Sequence, residues 1–200
     1  MDYEALDSSS PDSAIGDNPL HFVPQYSGDR YLLVSNIPPD TGKGAYENDT
    51  CPSCGYHRVR VGVVKCPRGH IMRNRPIVRE GRKVRLIKGF ESSYRRMDTK
   101  QPARTITTNT SHIGSDFKIH PREHRVLSIL ECADLQTVPR FLDWSTALQG
   151  RPGKKPVPYL IRNVVGEAFP PYYTFLHGKI LARLLSNDVT VYSELASLTK

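Results

Sequence analysis

The sequence predicts an α+β fold, in which a β-rich, zinc-braced domain is followed by helices. Two pairs of metal-ligand residues enclose an alternating segment between residues 51 and 70, which favours short strands around a metal ion. Farther along, a helix-capping signal and a proline-initiated helical repeat predict helices. The chain has 200 residues, of which 16 are Pro and 14 are Gly, so we expect a loop-rich fold with a modest core.

Charge divides the chain into three unlike parts. Residues 1–50 carry 2 basic and 9 acidic side chains, net −7, and residues 51–104 carry 15 and 3, net +12. Residues 105–200 carry 11 and 8, net +3. Residues 1–18 are acidic and poor in apolar residues, which predicts a disordered arm. Residues 1–20 are too acidic for a secretory signal. No apolar run approaches the ~18 residues of a membrane span, so we expect no membrane partner.

The first predicted strand covers residues 31–34, with the sequence Y-L-L-V. It ends before Ile37-Pro38-Pro39, because proline cannot donate to a strand ladder. A polar loop rich in Gly, Asp and Asn then leads to the first cysteine.

Residues 51–70 contain the strongest chemical signal. Cys51 and Cys54 have C-x2-C spacing, and Gly55 suits the tight turn that follows such a pair. After the alternating segment 58–64, which predicts a short strand or hairpin, Cys66 and His70 form a second pair. Thiolate and imidazole ligands from two turns favour a closed tetrahedral zinc site with a structural role. Two alternatives remain open, His57 as the fourth ligand and a cluster of buried thiols without metal.

Such a metal cluster, with only four cysteines in the chain, favours a reducing compartment over a disulfide scaffold.

The basic block, residues 51–104, also contains Phe90 and Tyr94. Nucleic-acid phosphate is its expected partner, and a solvated or protein-binding face is the alternative. The candidate contacts are the basic residues of the block, Arg73, Arg75, Arg79, Arg82, Lys83, Arg85 and Arg104.

Two helices are predicted in the C-terminal part. Ser128 and Glu131 have capping-box spacing, so a helix should start at Ser128, and Pro139 helps to end it. Pro170 and Pro171 suit the first turn of a second helix, because the N–H groups of that turn lack partners. Apolar residues then recur at helical spacing, which predicts a packed amphipathic helix; these are Tyr173, Leu176, Ile180 and Leu184.

Three segments in order resemble the C-terminal part of DNA cytosine-5 methyltransferases. They are T-I-T-T (105–108), H-R-V-L-S-I-L-E-C-A-D-L-Q-T-V-P (124–139) and I-R-N-V-V-G-E-A-F-P-P (161–171). The family pattern has T-[IL]-T, then R-x-L-[ST]-x-R-E-x-A-R-L-Q-x-F-P, then G-N-A-V-P-P. The matching residues are Arg125, Leu127, Ser128, Glu131, Ala133, Leu135, Gln136, Pro139, Gly166, Ala168, Pro170 and Pro171. The predicted zinc-binding segment 51–70 and the acidic arm are most similar to fungal members of the family, and a nuclear location is expected.

The resemblance implies that residues 19–120 form a target-recognition domain for double-stranded DNA. It also implies that residues 121–200 form helices that complete a doubly wound methyltransferase domain. It implies that Gly166, Glu167 and Ala168 line the S-adenosylmethionine pocket, with Gly166 permitting a close turn. By the same resemblance, Thr107 and Thr108 grip phosphate near a flipped base.

The chain departs from the family at several positions. Glu167 stands where the family has Asn, Leu130 replaces an Arg, and Thr137-Val138 replaces Gly-Phe. A carboxylate cannot donate the hydrogen bonds of an amide and would repel the carboxylate of the cofactor.

The family's catalytic motifs are missing from the sequence. Its nucleophile is the thiolate of a Pro-Cys loop, and this chain has no Pro-Cys dipeptide, no Glu-Asn-Val and no F-x-G-x-G cofactor loop. We therefore expect no methyl transfer by this chain alone. We expect the chain to be a fragment, the product of a truncated gene model, or one subunit of a split enzyme with a separate catalytic subunit. The alternative function is that of a non-catalytic, zinc-dependent DNA-binding protein derived from such an enzyme.

Overall fold

The computed structural model describes residues 13–14, 20–90, 92–115, 117–145 and 158–186. Within them, β1 (Ser13–Ala14) pairs antiparallel with β2 (Phe22–Val23), and β3 (Ile77–Glu80) pairs antiparallel with β4 (Lys83–Leu86). The helices of these residues are α1 (Gly28–Ser35), α2 (Ile129–Leu135), α3 (Pro158–Glu167) and α4 (Pro171–Leu185), with a 3-10 turn at Ala45–Glu47.

The fold is therefore mixed α+β, but the expectation of a β-rich N-terminal domain is wrong for the described residues. Most of the described backbone between residues 36 and 128 is irregular, apart from the 3-10 turn and one hairpin of two four-residue strands. The doubly wound arrangement, the boundary at residue 120 and the disorder of residues 1–18 stay predictions. Residues 1–12 and 15–18 of that arm lie outside the described residues.

Residues 31–34 lie in helix α1, so the predicted strand there is wrong. Leu33 and Val34 face the first core cluster, which Ile37 joins from just beyond the helix end. The cluster is completed from distant parts of the chain by Ala45, Ile113, Ile119 and Val126. A four-residue apolar run does not distinguish a strand from a buried helical face, because both can bury such a run.

Arg96 crosses this first core and is fully buried. Its guanidinium donates to the carbonyl oxygens of Val34 (2.8 Å) and Ile37 (3.1 Å), and to those of His120 and Glu123 (2.6 Å). Burial lowers the pKa of Arg96 to about 10, which still leaves it charged at neutral pH. The Arg96 side chain thus connects the end of α1 to the loop that precedes α2.

Helix α2 begins where the sequence predicts, directly after Ser128. The Ser128 hydroxyl accepts from the backbone N–H of Glu131 (3.1 Å), and the Glu131 carboxylate accepts from the backbone N–H of Ser128 (2.7 Å). The capping box is confirmed. Arg125 adds a two-pronged ion pair to the same carboxylate, with N–O distances of 2.7 and 2.8 Å.

A second core cluster joins α2 to α3. It contains Ile106 from the T-I-T-T segment, Leu127, Cys132 and Ala133 from around α2, and Val165 from α3. Because these residues are far apart in sequence, their burial fixes the three segments against one another.

Helix α4 starts at Pro171, so the proline-initiated helix is confirmed. Its predicted packing is not present in the described residues, because none of its side chains is buried and Tyr173 and Leu176 are exposed. Phe175, Leu181 and Leu185 extend this exposed apolar surface. None of the helices in the described ranges is both long and apolar enough to cross a membrane.

We predict that ionised Glu131 stabilises the fold at neutral pH and that this contribution is lost in acid. Burial opposes the charge, but hydrogen bonds from Arg125 and Ser128 outweigh it and lower the pKa of Glu131 from 4.5 to about 2. The contribution is complete above the unfolded-state pKa and disappears as the pH falls through the folded-state value. Solvent screening limits it to about 1–2 kcal/mol.

Denaturant unfolding at neutral pH and at about pH 3 measures this contribution. Glu131→Gln should lower the free energy of unfolding at neutral pH and lose less stability in acid than the unmodified chain. Asp134→Asn on the same helix is the control, because its pair with Arg140 is largely exposed and should contribute little. Equal acid sensitivity of Glu131→Gln and the unmodified chain would contradict the prediction.

Candidate metal centre and motif junction

Each pair of candidate metal ligands lies on a tight turn that a glycine closes. The Gly55 N–H donates to the Cys51 carbonyl (2.9 Å) with Gly55 at φ 67°, and the Gly69 N–H donates to the Cys66 carbonyl (2.9 Å) with Gly69 at φ 85°. This left-handed conformation favours glycine. Gly55 was predicted from its place after the first cysteine pair, whereas Gly69, which has the same signal in Cys-Pro-Arg-Gly-His, was not.

The two turns bring four ligand atoms together, from Cys51, Cys54, Cys66 and His70, all within 4.8 Å of one another. The sulfur atoms of Cys54 and Cys66 are 3.9 Å apart, and the Cys66 sulfur is 3.7 Å from His70 Nδ1. Tetrahedral zinc requires separations of about 3.8 Å between sulfurs and about 3.6 Å from sulfur to nitrogen. The cluster could therefore hold a metal ion with small adjustments.

His57, the alternative fourth ligand, does not belong to this group. Its Nδ1 lies 3.1 Å from the Thr50 hydroxyl in an exposed position. Of the two histidines, the geometry selects His70.

The surroundings of the cluster bias one thiol toward its metal-binding form. Desolvation opposes ionisation of Cys66, but hydrogen bonds from the His70 side chain and from backbone N–H groups outweigh it and lower the pKa to about 6. Burial raises the pKa of Cys51. Because thiolates are the metal ligands, a cation in the cluster would favour ionisation of all three thiols.

The Arg75 side chain is surrounded by backbone carbonyls of the loop that carries the cluster. Fully buried, it donates to the carbonyls of Asn48 (2.8 Å), Val59 (2.9 Å), Arg60 (2.8 Å) and Val63 (2.7 Å). The strand or hairpin predicted for residues 58–64 is wrong, because carbonyls of that segment turn inward to the guanidinium. The segment is irregular, and the chain instead pairs at one isolated bridge between Lys65 and Ile71.

Because Arg75 is buried, its expected contact with nucleic acid is wrong. Its donors are used inside the protein, and desolvation lowers its pKa. We therefore assign it to bracing the metal loop.

The other basic residues predicted to contact DNA are exposed, in different settings. Arg73 pairs with Asp29 (2.7 Å), and Arg85 pairs with Glu80 (2.9 Å) across the β3–β4 hairpin. Arg104 lies 5.2 Å from the centre of the Phe117 ring. Three exposed basic residues lie on or beside the hairpin turn, namely Arg79, Arg82 and Lys83.

The three resembling segments meet in one place, which we call the motif junction: residues 105–110, 127–138 and 161–172. Gln136 donates to the carbonyls of Val165 (3.1 Å) and Ala168 (3.2 Å). Arg162, buried in α3, donates to the Leu127 carbonyl (2.8 Å), to the Thr110 hydroxyl (3.4 Å) and to the Phe22 carbonyl (2.7 Å). No sequence signal indicated the role of Arg162, whereas Gln136 was part of the pattern.

Thr137, which replaces a Gly of the resembling family, adopts φ 58°, the left-handed conformation that glycine prefers. Its hydroxyl accepts from the backbone N–H of Tyr172 (3.1 Å) in the first turn of α4. Pro170, just before this turn, has no side-chain donor or acceptor to cap it. Thr137 thus caps α4 from the turn that follows α2.

The predicted cofactor residues have separate positions in the junction. Gly166 lies in the last turn of α3 and not in a loop, so the expected close turn at Gly166 is wrong. Its α-carbon faces the backbone of Thr107 and Thr108, which are half-buried. The Ala168 carbonyl is bonded to Gln136, whereas Glu167 is exposed. Of the three residues, only Glu167 is exposed.

All four cysteines of the chain lie in the described residues, and their positions limit the chemistry. Three belong to the metal cluster, and Cys132 is completely buried in α2, where desolvation raises its pKa. Cys132 is thus a packing residue, because a buried neutral thiol is a poor nucleophile.

Two methyltransferases resemble the chain in sequence. Type II methyltransferase M.AquIB of Picosynechococcus sp. is 39% identical over 100 residues, and the match covers 48% of this chain and 68% of M.AquIB. Type II methyltransferase M1.HgaI of Avibacterium volantium is 36% identical over 94 residues, and the match covers 42% of this chain but 24% of M1.HgaI. No family model matches the chain, and no solved structure matches it.

These similarities place the chain in the methyltransferase class. The chain belongs to the family of Type II methyltransferases. Neither relative supports the expected fungal origin, since both sources are bacteria. The nuclear location stays a prediction.

We predict that the purified chain binds about one metal ion through the cluster, and that His70→Ala releases it. His57→Ala is the matched control, because it removes an imidazole outside the cluster and should keep the metal. Cys54→Ser should unfold the loop, since metal binding and folding are coupled. Elemental analysis of the purified variants measures the outcome. A folded, metal-free protein, or metal loss from His57→Ala alone, would contradict the assignment.

Proposed function

We propose that the chain is the C-terminal portion of a DNA (cytosine-5-)-methyltransferase, which binds DNA and completes the S-adenosylmethionine domain. The motif junction carries this proposal, because three segments that resemble the family in order also pack against one another. Membership among Type II methyltransferases supports it independently.

The proposed metal is zinc, in a structural role. Three thiols and one imidazole are a donor set typical of structural zinc. Four protein ligands leave no open coordination position for a water or a substrate. The ion would hold the two glycine-closed turns together beside the Arg75-braced loop, from which the chain continues directly into the β3–β4 hairpin.

The proposed DNA surface is the β3–β4 hairpin with its turn. Its basic residues are exposed, and the two-residue turn at Gly81–Arg82 projects Arg82 and Lys83 away from the core. The +12 charge of residues 51–104 supports phosphate as the partner, because neutralised phosphates release counterions. Thr107 and Thr108 would add hydroxyl contacts to phosphate near the reacting base.

S-adenosylmethionine, when bound, supplies the methyl group. The residue of this chain that would face it is Glu167, whose side chain is exposed beside α4. The exposed apolar surface of α4 supports a docking role for that helix, since a methyltransferase sheet would cover it. Methyl transfer also needs a thiolate aimed at C6 of cytosine, and none of the four cysteines is available for this role.

A catalytic half on a separate chain is consistent with the relatives. The matched segment makes up 68% of M.AquIB but 24% of M1.HgaI, so matches of similar length are most of one relative and a minor part of the other. The second candidate function is that of a non-catalytic, zinc-dependent DNA-binding protein, which the basic hairpin and the engaged cysteines favour. The two functions differ in whether a catalytic half restores methyl transfer.

For DNA binding, we predict that affinity falls steeply with salt and that Arg82→Ala/Lys83→Ala flattens this dependence. Each phosphate contact contributes about 0.9 to the slope of log K against log salt, so loss of two contacts should lower the slope by about 2. Arg122→Ala/Arg140→Ala removes equal charge from two exposed aspartate-paired sites and is the control. Binding to a short mixed-sequence duplex at several salt concentrations measures both slopes. Salt-independent binding, or equal effects of the two double variants, would count against the hairpin as the DNA surface.

For catalysis, we predict that the chain alone transfers no methyl group to DNA, since it lacks an available nucleophile. A polypeptide that carries the family's Pro-Cys and F-x-G-x-G motifs, and is encoded beside this gene, should restore transfer when mixed with the chain. In that complex, Glu167→Asn should tighten S-adenosylmethionine binding because it removes a carboxylate. Transfer of labelled methyl groups to duplex DNA is the assay. Methylation by the isolated chain that is lost in Cys132→Ala would overturn these roles, and failure of the mixture would favour the non-catalytic candidate.

A further inference from the structure

Gly166 allows a contact in the motif junction that no other residue could make. A β-carbon built on Gly166 would lie 2.5 Å from the Thr107 carbonyl oxygen and 2.5 Å from the Thr108 nitrogen. These distances are about 1 Å shorter than ordinary van der Waals separations. The atoms that it would meet belong to the backbone, so a rotation of a side chain cannot relieve the clash. Helix α3 therefore packs directly on the T-I-T-T segment.

The two sides of this contact differ in how well they are held. In α3, Ile161, Arg162 and Val165 are buried, and the Arg162 guanidinium fixes the helix to Leu127, just before α2, and to β2. On the other side, the residues that flank the contact, Ile106 and Thr110, are buried, while Thr107 and Thr108 between them are half-buried. An added methyl group would therefore displace the turn at 107–108 more readily than the helix.

We propose that Gly166 is a positioning residue for DNA binding, which acts by setting the place of the Thr107 and Thr108 hydroxyls. The inference rests on the proposed function, and it gives Gly166 a role apart from cofactor contact. A hydrogen bond from a hydroxyl to phosphate needs its partners within a few tenths of an ångström of the optimal distance. A shift of about 1 Å at the turn would break such a bond. The requirement for glycine should therefore be detectable when no S-adenosylmethionine is present.

The test measures binding of the full chain to a short mixed-sequence DNA duplex without cofactor. Gly166→Ala should weaken binding about tenfold and lower the salt slope by about 1–2, as one or two phosphate contacts are lost. Gly178→Ala, in α4, is the matched control, because a β-carbon there meets nothing within 4 Å. It should leave both quantities unchanged.

A double-mutant cycle separates positioning from a loss of fold. Thr107→Val/Thr108→Val removes both hydroxyls while keeping similar side-chain shapes, and it should reproduce the binding defect of Gly166→Ala. Adding Gly166→Ala to this double variant should then weaken DNA binding by less than twofold, although any effect on thermal stability should persist. Independent multiplication of the two binding defects would overturn the inference.

The outcomes also separate this inference from the proposed function. Failure of the unmodified chain to bind DNA would remove the proposed function and the inference with it. If the unmodified chain binds and Gly166→Ala binds equally well, the positioning role alone is wrong. Should Gly166→Ala lose its metal or its thermal transition, the threonine double variant decides the matter. Unchanged DNA affinity in that folded double variant would overturn the inference.

Discussion

Buried guanidinium groups hold this protein together. Arg75, Arg96 and Arg162 are fully buried in three different regions, and most of their hydrogen bonds go to backbone carbonyls. A chain with few strands leaves many carbonyls without ladder partners, and a buried carbonyl without a donor destabilises the fold. Arginine offers five donors in a fixed plane, so a single side chain can satisfy several carbonyls from segments distant in sequence. Lysine cannot replace it in this role.

Each buried arginine braces a different part of the function. Arg75 organises the loop that carries the metal cluster, and Arg96 closes the first core. Arg162 links α3 to Leu127, just before α2, and to β2, and so holds the motif junction in which the three resembling segments meet. Around it, the contact of Gly166 with Thr107 and Thr108 and the cap that Thr137 provides for α4 complete a compact unit.

The parts of this structure that the sequence predicted are those set by local spacing. The metal cluster follows from two cysteine-containing turns, and the capping box follows from Ser128 and Glu131, because each depends on residues only three or four positions apart. Long-range burial was not predictable. The charge of Arg75 suggested a surface contact, and its place among four carbonyls depends on how distant loops meet. The strand prediction for residues 31–34 was wrong for a similar reason, since tertiary packing decided between helix and strand.

The role of Arg162 in the motif junction can be measured most directly by amide hydrogen exchange. Arg162→Lys keeps the charge but cannot reach the carbonyls of both Leu127 and Phe22 with the geometry of a guanidinium. If Arg162 holds the junction, residues 106–110, 127–136 and 161–168 should lose protection together. The metal loop, which Arg75 braces, should keep its protection. Retained protection across those three segments in Arg162→Lys, or loss confined to α3, would contradict the central role of the buried guanidinium.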